Sequence, residues 1–575
     1  MNDHNTGKNI LRFFIVLAGS SFLILNACNN KEQADTIIYS KDIQTVDSIM
    51  SSVQAIAIKD GLVLATGDTE EIKSYQGSET QILNFEDAFV MPGFIEGHGH
   101  FSGLGSSLAN LNFLKSQSWQ EITAMVEEKV ESSKPGEWIY GRGWHQDKWT
   151  QSPDDAVGFY PTHQTLSEIS PDNPVILFHA SGHSLFANDQ AMKKAGITAE
   201  MPDPKGGHIV KDGNGDAIGV FEERAMTPIK DAYKEYLDGL SQEKLAEEWH
   251  EGIRLASNEC IQKGITSFQD AGSKMYELER YSQLAKDGAL GIRLWAMIRH
   301  SSEEMEGKLQ QYKEVDTGNG FFTCNAIKSE VDGALGSYGA WLLAPYDDKP
   351  GFVGQNTTDI EEVAAIAKQA KANDMQLCVH AIGDKANNVV LDIIEENTDP
   401  SDDHRWRIEH AQHLDPDDII RFKSTGAIAS MQGVHCTSDA PFVATRLGQI
   451  RAKMGAYVWK SLIESGAMVI NGTDAPVEDV DPIKSFYASV TRKREDNGFE
   501  FFTEQKMTRE EAVRSYTINC AFAAFEEDQK GSLEAGKYAD LIVLSNNLLE
   551  CADDEILTTK VLMTMIDGKV VYSND

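Results

Sequence analysis

The segment Pro92-Gly93-Phe94-Ile95-Glu96-Gly97-His98-Gly99-His100 holds two histidines two residues apart. On an extended strand such residues project to the same side, so both imidazoles can meet one cation. Gly97 and Gly99 leave room around them. Taken alone, the pair equally fits a polar loop. Further ligand types recur downstream at strand-like ends: His380 closes Leu377-Cys378-Val379, and His410 closes Arg407-Ile408-Glu409 thirty residues later. One strand, its crossover and the next strand need roughly 30 residues, so these two histidines fit consecutive strands. Asp474, in Ile470-Asn471-Gly472-Thr473-Asp474-Ala475-Pro476, follows His410 by 64 residues, room for two more units. Lys328, on Ala326-Ile327-Lys328-Ser329, is the odd member. A strand-end lysine is usually an edge or snorkelling residue, but burial beside a cation changes its chemistry.

Elements that can position these groups follow from the patterning. Apolar runs at 88–90, 265–268, 293–297, 326–329, 375–379, 406–408, 427–430 and 467–470 are separated mostly by helical patterns. Thr358-Asp359-Ile360-Glu361 reads as a capping box before a helix with Ile360, Val363, Ala367 and Ala370 on one face. Leu245, Trp249, Ile253, Ala256 and Cys260 mark another helix, stopped by Gly264. Eight strands alternating with helices predict an α/β fold, a (β/α)8 TIM-type barrel over about residues 88–530. Residues of about 105–240, rich in glycine, aromatics and acids, read as a large insertion after the first strand, above the face where barrel chemistry occurs. Strand-like runs at 34–87 and 531–575 predict a small β-sandwich built from both chain ends.

Composition narrows the functional classes. The 575 residues include 89 acidic and 52 basic side chains, a formal net charge of −37. That excess repels phosphate backbones and argues against nucleic acid as a partner. At 41% hydrophobic residues the chain can fill a large core, and 7 cysteines are too few for a disulfide scaffold. Residues 1–28 differ from the rest: Lys8 and Arg12 precede an apolar run that ends in Leu25-Asn26-Ala27-Cys28. This is too short for a comfortable membrane span and has the build of a secretory signal. It resembles a lipoprotein signal, which implies a lipidated Cys28 and a soluble body tethered in the bacterial cell envelope. An ordinary cleaved signal is the alternative.

The order of PGF-x-x-x-H-x-H, a strand lysine, His380-Ala381-Ile382-Gly383-Asp384, Glu409-His410 and Thr473-Asp474-Ala475-Pro476 resembles the amidohydrolase superfamily of metal-dependent hydrolases. The branch is the amidohydrolase-3 group that includes N-substituted formamide deformylase-like proteins. Ser181-Gly182-His183 with Asn188, Asp332-Gly333, Ser430-Met431-Gln432 with His435, and Lys530-Gly531-Ser532 extend the likeness over about residues 36–572. Glu96-Gly97 departs from the commoner Asp-Ala, a change expected to affect packing rather than ligation. The resemblance implies His98, His100 and Asp474 on one metal, and His380 and His410 on the other. Lys328 would bridge them after carboxylation, and a single ion beside unmodified Lys328 is the alternative. Zinc is the default for such donors.

The chemistry expected is hydrolysis of a non-peptide carbon–nitrogen bond in a small amide-like substrate, N-acyl or N-formyl for example. A metal-activated hydroxide attacks, and Asp474 carries the proton to the leaving nitrogen. His183, Gln432 and His435 are expected at the substrate. Asp332 either orients a ligand or holds its own turn with Gly333. Trp144, His145 and Trp149 line the entrance or form the core of the insertion, and His413 is expected to face the following helix. An ester, lactone or phosphoester hydrolase on the same centre, or a non-catalytic binding lipoprotein, are the competing readings. The oligomeric state stays open, a dimer included.

Overall fold

The computed structural model describes residues 32–574, apart from 147, 148, 152, 154, 155, 159, 181, 183, 205, 206 and 400. Cys28 and His183 therefore lie outside the described residues. Eight parallel strands form the central sheet: β1 (Phe94–Gly99), β2 (Ile265–Ser273), β3 (Arg293–Ile298), β4 (Phe322–Glu330), β5 (Gln376–Ala381), β6 (Arg407–His410), β7 (Ile428–Gln432) and β8 (Val469–Gly472). They pair in that order. Most of their residues are buried on both faces, as parallel strands enclosed by helices require. The sheet curls into a nearly closed barrel. Between β8 and β1 there is no ladder, but the Asp474 N–H donates to the His98 carbonyl (2.7 Å) and the His100 N–H to that of Ala475 (2.7 Å).

One strand differs from the sequence reading. The run at 88–90, taken as the first barrel strand, belongs to Phe89–Pro92, which pairs with Leu541–Leu544 and with Thr36–Gln44 in another sheet. Pro92-Gly93 divides a single apolar run between two sheets. A Cβ on Gly93 would come within 2.2 Å of the Thr266 side chain, so only glycine lets β1 turn in beside β2. The true first strand is the one that carries His98. The other sheet has eight strands, drawn from residues 36–92 and 541–573. Hydrogen bonding joins the two chain ends in one sheet, and Ile56, Ile58 and Val63 share a core cluster with Leu541, Val543, Met563 and Met565.

Between β1 and β2 lies the insertion, a six-stranded sheet that includes Ile139–Trp144, Val175–His179 and Ser184–Ala187. Trp144 is fully buried there, its Nε1–H donating to the Leu177 carbonyl (2.8 Å), and Trp149 packs between Trp119 and Trp144. Trp144 and Trp149 are thus insertion core. The helix Gln242–Gln262 forms as its spacing predicts, capped by Ser241 and ended before Gly264 at φ +76°. The helix Ile360–Ala372 also forms, but Asp359 makes no side-chain cap, so the expected capping box is absent. Among the described residues six cysteines are free, five of them buried, and no helix is long and apolar enough to cross a membrane.

Candidate metal centre

The carboxyl ends of the barrel strands bring the expected ligands to one rim. His98 is the fifth residue of β1 and His100 follows its end; His380 is next to last in β5, His410 closes β6, and Asp474 lies two residues past β8. In barrels of this type the carboxyl face is where chemistry is built. His98, His410 and Asp474 each offer a ligand atom, all within 4.8 Å of one another, and all three residues are buried. His100 Nε2 lies 3.1 Å from Asp474 Oδ1, and His98 Nε2 is 3.6 Å from the same oxygen. The His380 ring sits 4.5 Å from that of His410, centre to centre. The tightest trio therefore mixes members of the two ligand sets expected from the resemblance.

Lys328 is 3% exposed, on β4 beside Cys378 of β5. Burial pushes its ammonium pKa down, while Glu409 and Asp474 act the other way. Desolvation, then the charge of Lys328, lowers His98 to about 4 and His380 to about 3. Burial, then His380 and His98, holds His410 well below the ordinary imidazole value. Burial alone would raise Asp474, but its hydrogen bond with His100 and the nearby imidazoles keep it ionised, well below the usual carboxylate range. Neutral imidazoles around an ionised carboxylate are the protonation state a cation needs.

Two of the histidines, His98 and His410, are aimed by a partner behind them. His98 Nδ1 donates to Glu409, a fully buried carboxylate. Burial alone would raise Glu409, but Arg407 at 2.7 Å and His98 hold it ionised. Nδ1 of His410 donates to Gln432 Oε1 (2.7 Å). Both contacts leave Nε2 to face the rim, the arrangement usual behind metal-ligating histidines. Among the described residues, Nε2 of His98 and of His380 are buried with no hydrogen-bond partner. These orphaned nitrogens, each 3.6 Å from a carboxylate oxygen, of Asp474 and Asp332 respectively, fit a divalent cation.

The remaining candidates have distinct places. Gln432, expected at the substrate, is 1% exposed and its Oε1 accepts from His410 Nδ1. His435 stacks on His410 at 6.2 Å, with Gln412 Nε2 donating to its Nδ1 (3.0 Å). Asp332 accepts the N–H groups of Trp341, Ile382 and Gly383 at 2.8–2.9 Å and lies 3.6 Å from His380 Nε2. It thus ties the loop after β4 to the end of β5. His413 is buried with its ring 5.3 Å from Tyr457. Glu96 accepts from Thr473 Oγ1 (3.1 Å) and the Thr473 N–H, holding the turn in which Asp474 adopts φ +59°. The sequence reading assigned no role to Glu409 or Arg407, although Glu409 lies in the motif that ends in His410.

Comparison with known proteins agrees with this geometry. The sequence signature of the Amidohydrolase family matches residues 81–572. The protein LONG AFTER FAR-RED 3 of Arabidopsis thaliana is 31% identical, covering 94% of this chain and 92% of its own. The N-substituted formamide deformylase of Arthrobacter pascens is 26% identical over 94% of this chain and 99% of its own. Among solved structures, an uncharacterized metal-dependent hydrolase from Pyrococcus horikoshii OT3 superposes with a TM-score of 0.73 at 26% identity, covering 90% of this chain and 99% of that one.

Proposed function

The chain belongs to the amidohydrolase family, and on that premise we propose that this hydrolase cleaves a non-peptide, amide-like carbon–nitrogen bond in a small molecule of the N-acyl or N-formyl kind. The observation that carries the reading is the convergence of His98, His410 and Asp474 from β1, β6 and the end of β8 onto one buried rim. The named activity of the Arthrobacter pascens relative supports the bond class.

His98, His100, His380, His410 and Asp474 would hold the metal. A divalent cation bound there supplies Lewis acidity, lowering the pKa of water from 15.7 to about 7 and polarising a carbonyl. Asp474, ionised and steadied by His100, is placed to accept the proton of the attacking water. It returns that proton to the departing nitrogen, because an amide nitrogen leaves poorly unless protonated. With Gln412 Nε2 donating to its Nδ1, His435 presents Nε2 as a donor that has no partner among the described residues and can bind a substrate oxygen. Glu409 and Gln432 fix the imidazole orientations.

Two zinc ions bridged by a carboxylated Lys328 are the fuller form of the proposal. Its support is a buried lysine pressed toward its neutral, nucleophilic form among these ligands. Lipidation at Cys28, with the body held in the cell envelope, rests on the Leu25-Asn26-Ala27-Cys28 sequence alone.

The test is metal analysis of the purified protein, then a panel of N-formyl, N-acyl amino acid and cyclic amide substrates with matched esters, with and without chelator. Chelator-sensitive turnover of amides supports the reading. Ester-only turnover would move the activity to the other bond class, and protein without metal or turnover would leave a binding role.

A further inference from the structure

β1 and β8 meet without a ladder, and a side chain stands where the ladder is missing. Glu96 lies on β1 two residues before His98 and is fully buried. Its Oε1 accepts the Thr473 N–H (2.5 Å) and, at longer range, the His98 N–H (3.4 Å), while Oε2 accepts from Thr473 Oγ1 (3.1 Å). One carboxyl group thus takes backbone donors from both edges of the seam. Gly472 makes the room for it: a Cβ there would come within 2.5 Å of Glu96 Oε1 and 2.6 Å of the His98 nitrogen. Among the described residues Glu96 has hydrogen-bond donors but no basic partner. An apolar pair would close such a seam at less cost, so what Glu96 adds is the direction of its bonds.

Those directions converge on Asp474. Thr473 is held at its N–H and its hydroxyl, and the same hydroxyl accepts the Ala475 N–H (3.3 Å). Between them Asp474 takes φ +59°, in the left-handed region that a residue with a side chain keeps where its surroundings fix it. Its Oδ1 then lies 3.1 Å from His100 Nε2 and 3.6 Å from His98 Nε2. The imidazoles of His98 and His410 take their aim from elsewhere, from Glu409 and Gln432. The hold on Asp474 is therefore separable from the hold on these two ligands.

We propose that Glu96 is a positioning residue for proton transfer: through Thr473 it sets the direction of the Asp474 carboxylate. The proposal rests on the amide reading above, in which Asp474 takes a proton from the attacking water and returns it to the leaving nitrogen, and it adds the group that makes the return effective. Glu96 itself exchanges no proton and touches no substrate. Misplacing a reacting group by about 1 Å slows a reaction on the order of 100-fold. Here the cost falls on the departing group, so it is large for a poor leaving group and small for one that leaves as a stable anion.

Two experiments test this. In the first, wild type, E96M, T473V and T473S, each the metal-loaded full chain, are given N-acyl anilides of one acid whose leaving groups run from p-nitroaniline to p-methoxyaniline. E96M removes all three bonds and T473V only the hydroxyl link. On the p-methoxyanilide kcat should fall roughly 100-fold in E96M and roughly 10-fold in T473V, and on the p-nitroanilide by about 3-fold at most, with KM and bound metal as in wild type. T473S should recover most of the T473V loss. Equal losses across the series, or losses that track lost metal, would overturn the proposal. If E96M does not fold, T473V against T473S decides.

The second needs no turnover. In crystal structures of the metal-free variants, Asp474 should leave its left-handed backbone conformation and draw away from His100 Nε2 in T473V, and further in E96M, while His98 and His410 stay in place. An Asp474 displaced in this way supports the positioning role even if wild type cleaves no anilide and the amide reading fails. An Asp474 unmoved in T473V overturns it even if amides are cleaved.

Discussion

Glu409 and His98 stand 311 residues apart in the chain, yet their side chains are hydrogen-bonded in the barrel interior and neither is exposed. Glu409 sits beside His410 on β6 but serves the histidine on β1. Its carboxylate fixes Nδ1 of His98 as the donor and so presents Nε2 to the rim. Replacing Glu409 by glutamine keeps an oxygen acceptor and removes the charge. Metal affinity, measured by competition with a chelator, should fall by about 10- to 100-fold. Affinity equal to wild type would show that Glu409 does not position His98.

Gln432 Oε1 accepts from His410 Nδ1. Gln432→Ala should therefore weaken metal binding and lower kcat at limiting metal, with excess metal restoring much of the loss. Steady-state kinetics across a metal titration separates the two roles. A raised KM with unchanged metal affinity would return Gln432 to the substrate.

Legibility in the sequence had a physical limit that these two residues illustrate. The ligand histidines could be read because few residue types bind a divalent cation and because barrel spacing repeats. Glu409 and Arg407 two residues before it look like an ordinary charged pair, and nothing local says that one of them reaches His98. The first barrel strand was misplaced for a related reason. Phe89–Pro92 and Phe94–Gly99 are both apolar, and only tertiary pairing assigns them to different sheets. Trp144 and Trp149 could equally be entrance or core by residue type, and packing against Trp119 decides.

His413 supplies a pH prediction. Burial, aided by the charge of Arg451, lowers its pKa from 6.5 to about 3. Between those values the unfolded chain binds a proton that the native protein does not, so stability falls as pH drops through that window. The contribution is full above about pH 6.5 and its slope approaches about 1.4 kcal/mol per pH unit. Urea midpoints at pH 7 and pH 5 should converge in His413→Phe relative to wild type. An identical acid shift in both proteins would contradict the assignment.

Lys328 should be carboxylated when the centre is loaded. Metal-free enzyme reconstituted with zinc in buffer stripped of carbon dioxide should regain activity slowly, and added bicarbonate should speed recovery. Lys328→Met should be inactive under both conditions. Recovery indifferent to bicarbonate would favour an unmodified lysine beside a single ion.

Asp474 should separate chemistry from ligation. Asp474→Asn retains an oxygen for the metal but loses the proton acceptor, so kcat should drop by about 100-fold or more while much of the metal stays bound. Unchanged turnover would remove Asp474 from proton transfer.

The most direct measurement is anomalous X-ray diffraction from crystals of the purified protein, above the absorption edge of whichever metal elemental analysis finds. A peak about 2.0–2.3 Å from donor atoms of His98, His410 and Asp474 is expected. Metal-free protein, or a peak remote from that trio, would contradict the hydrolytic centre.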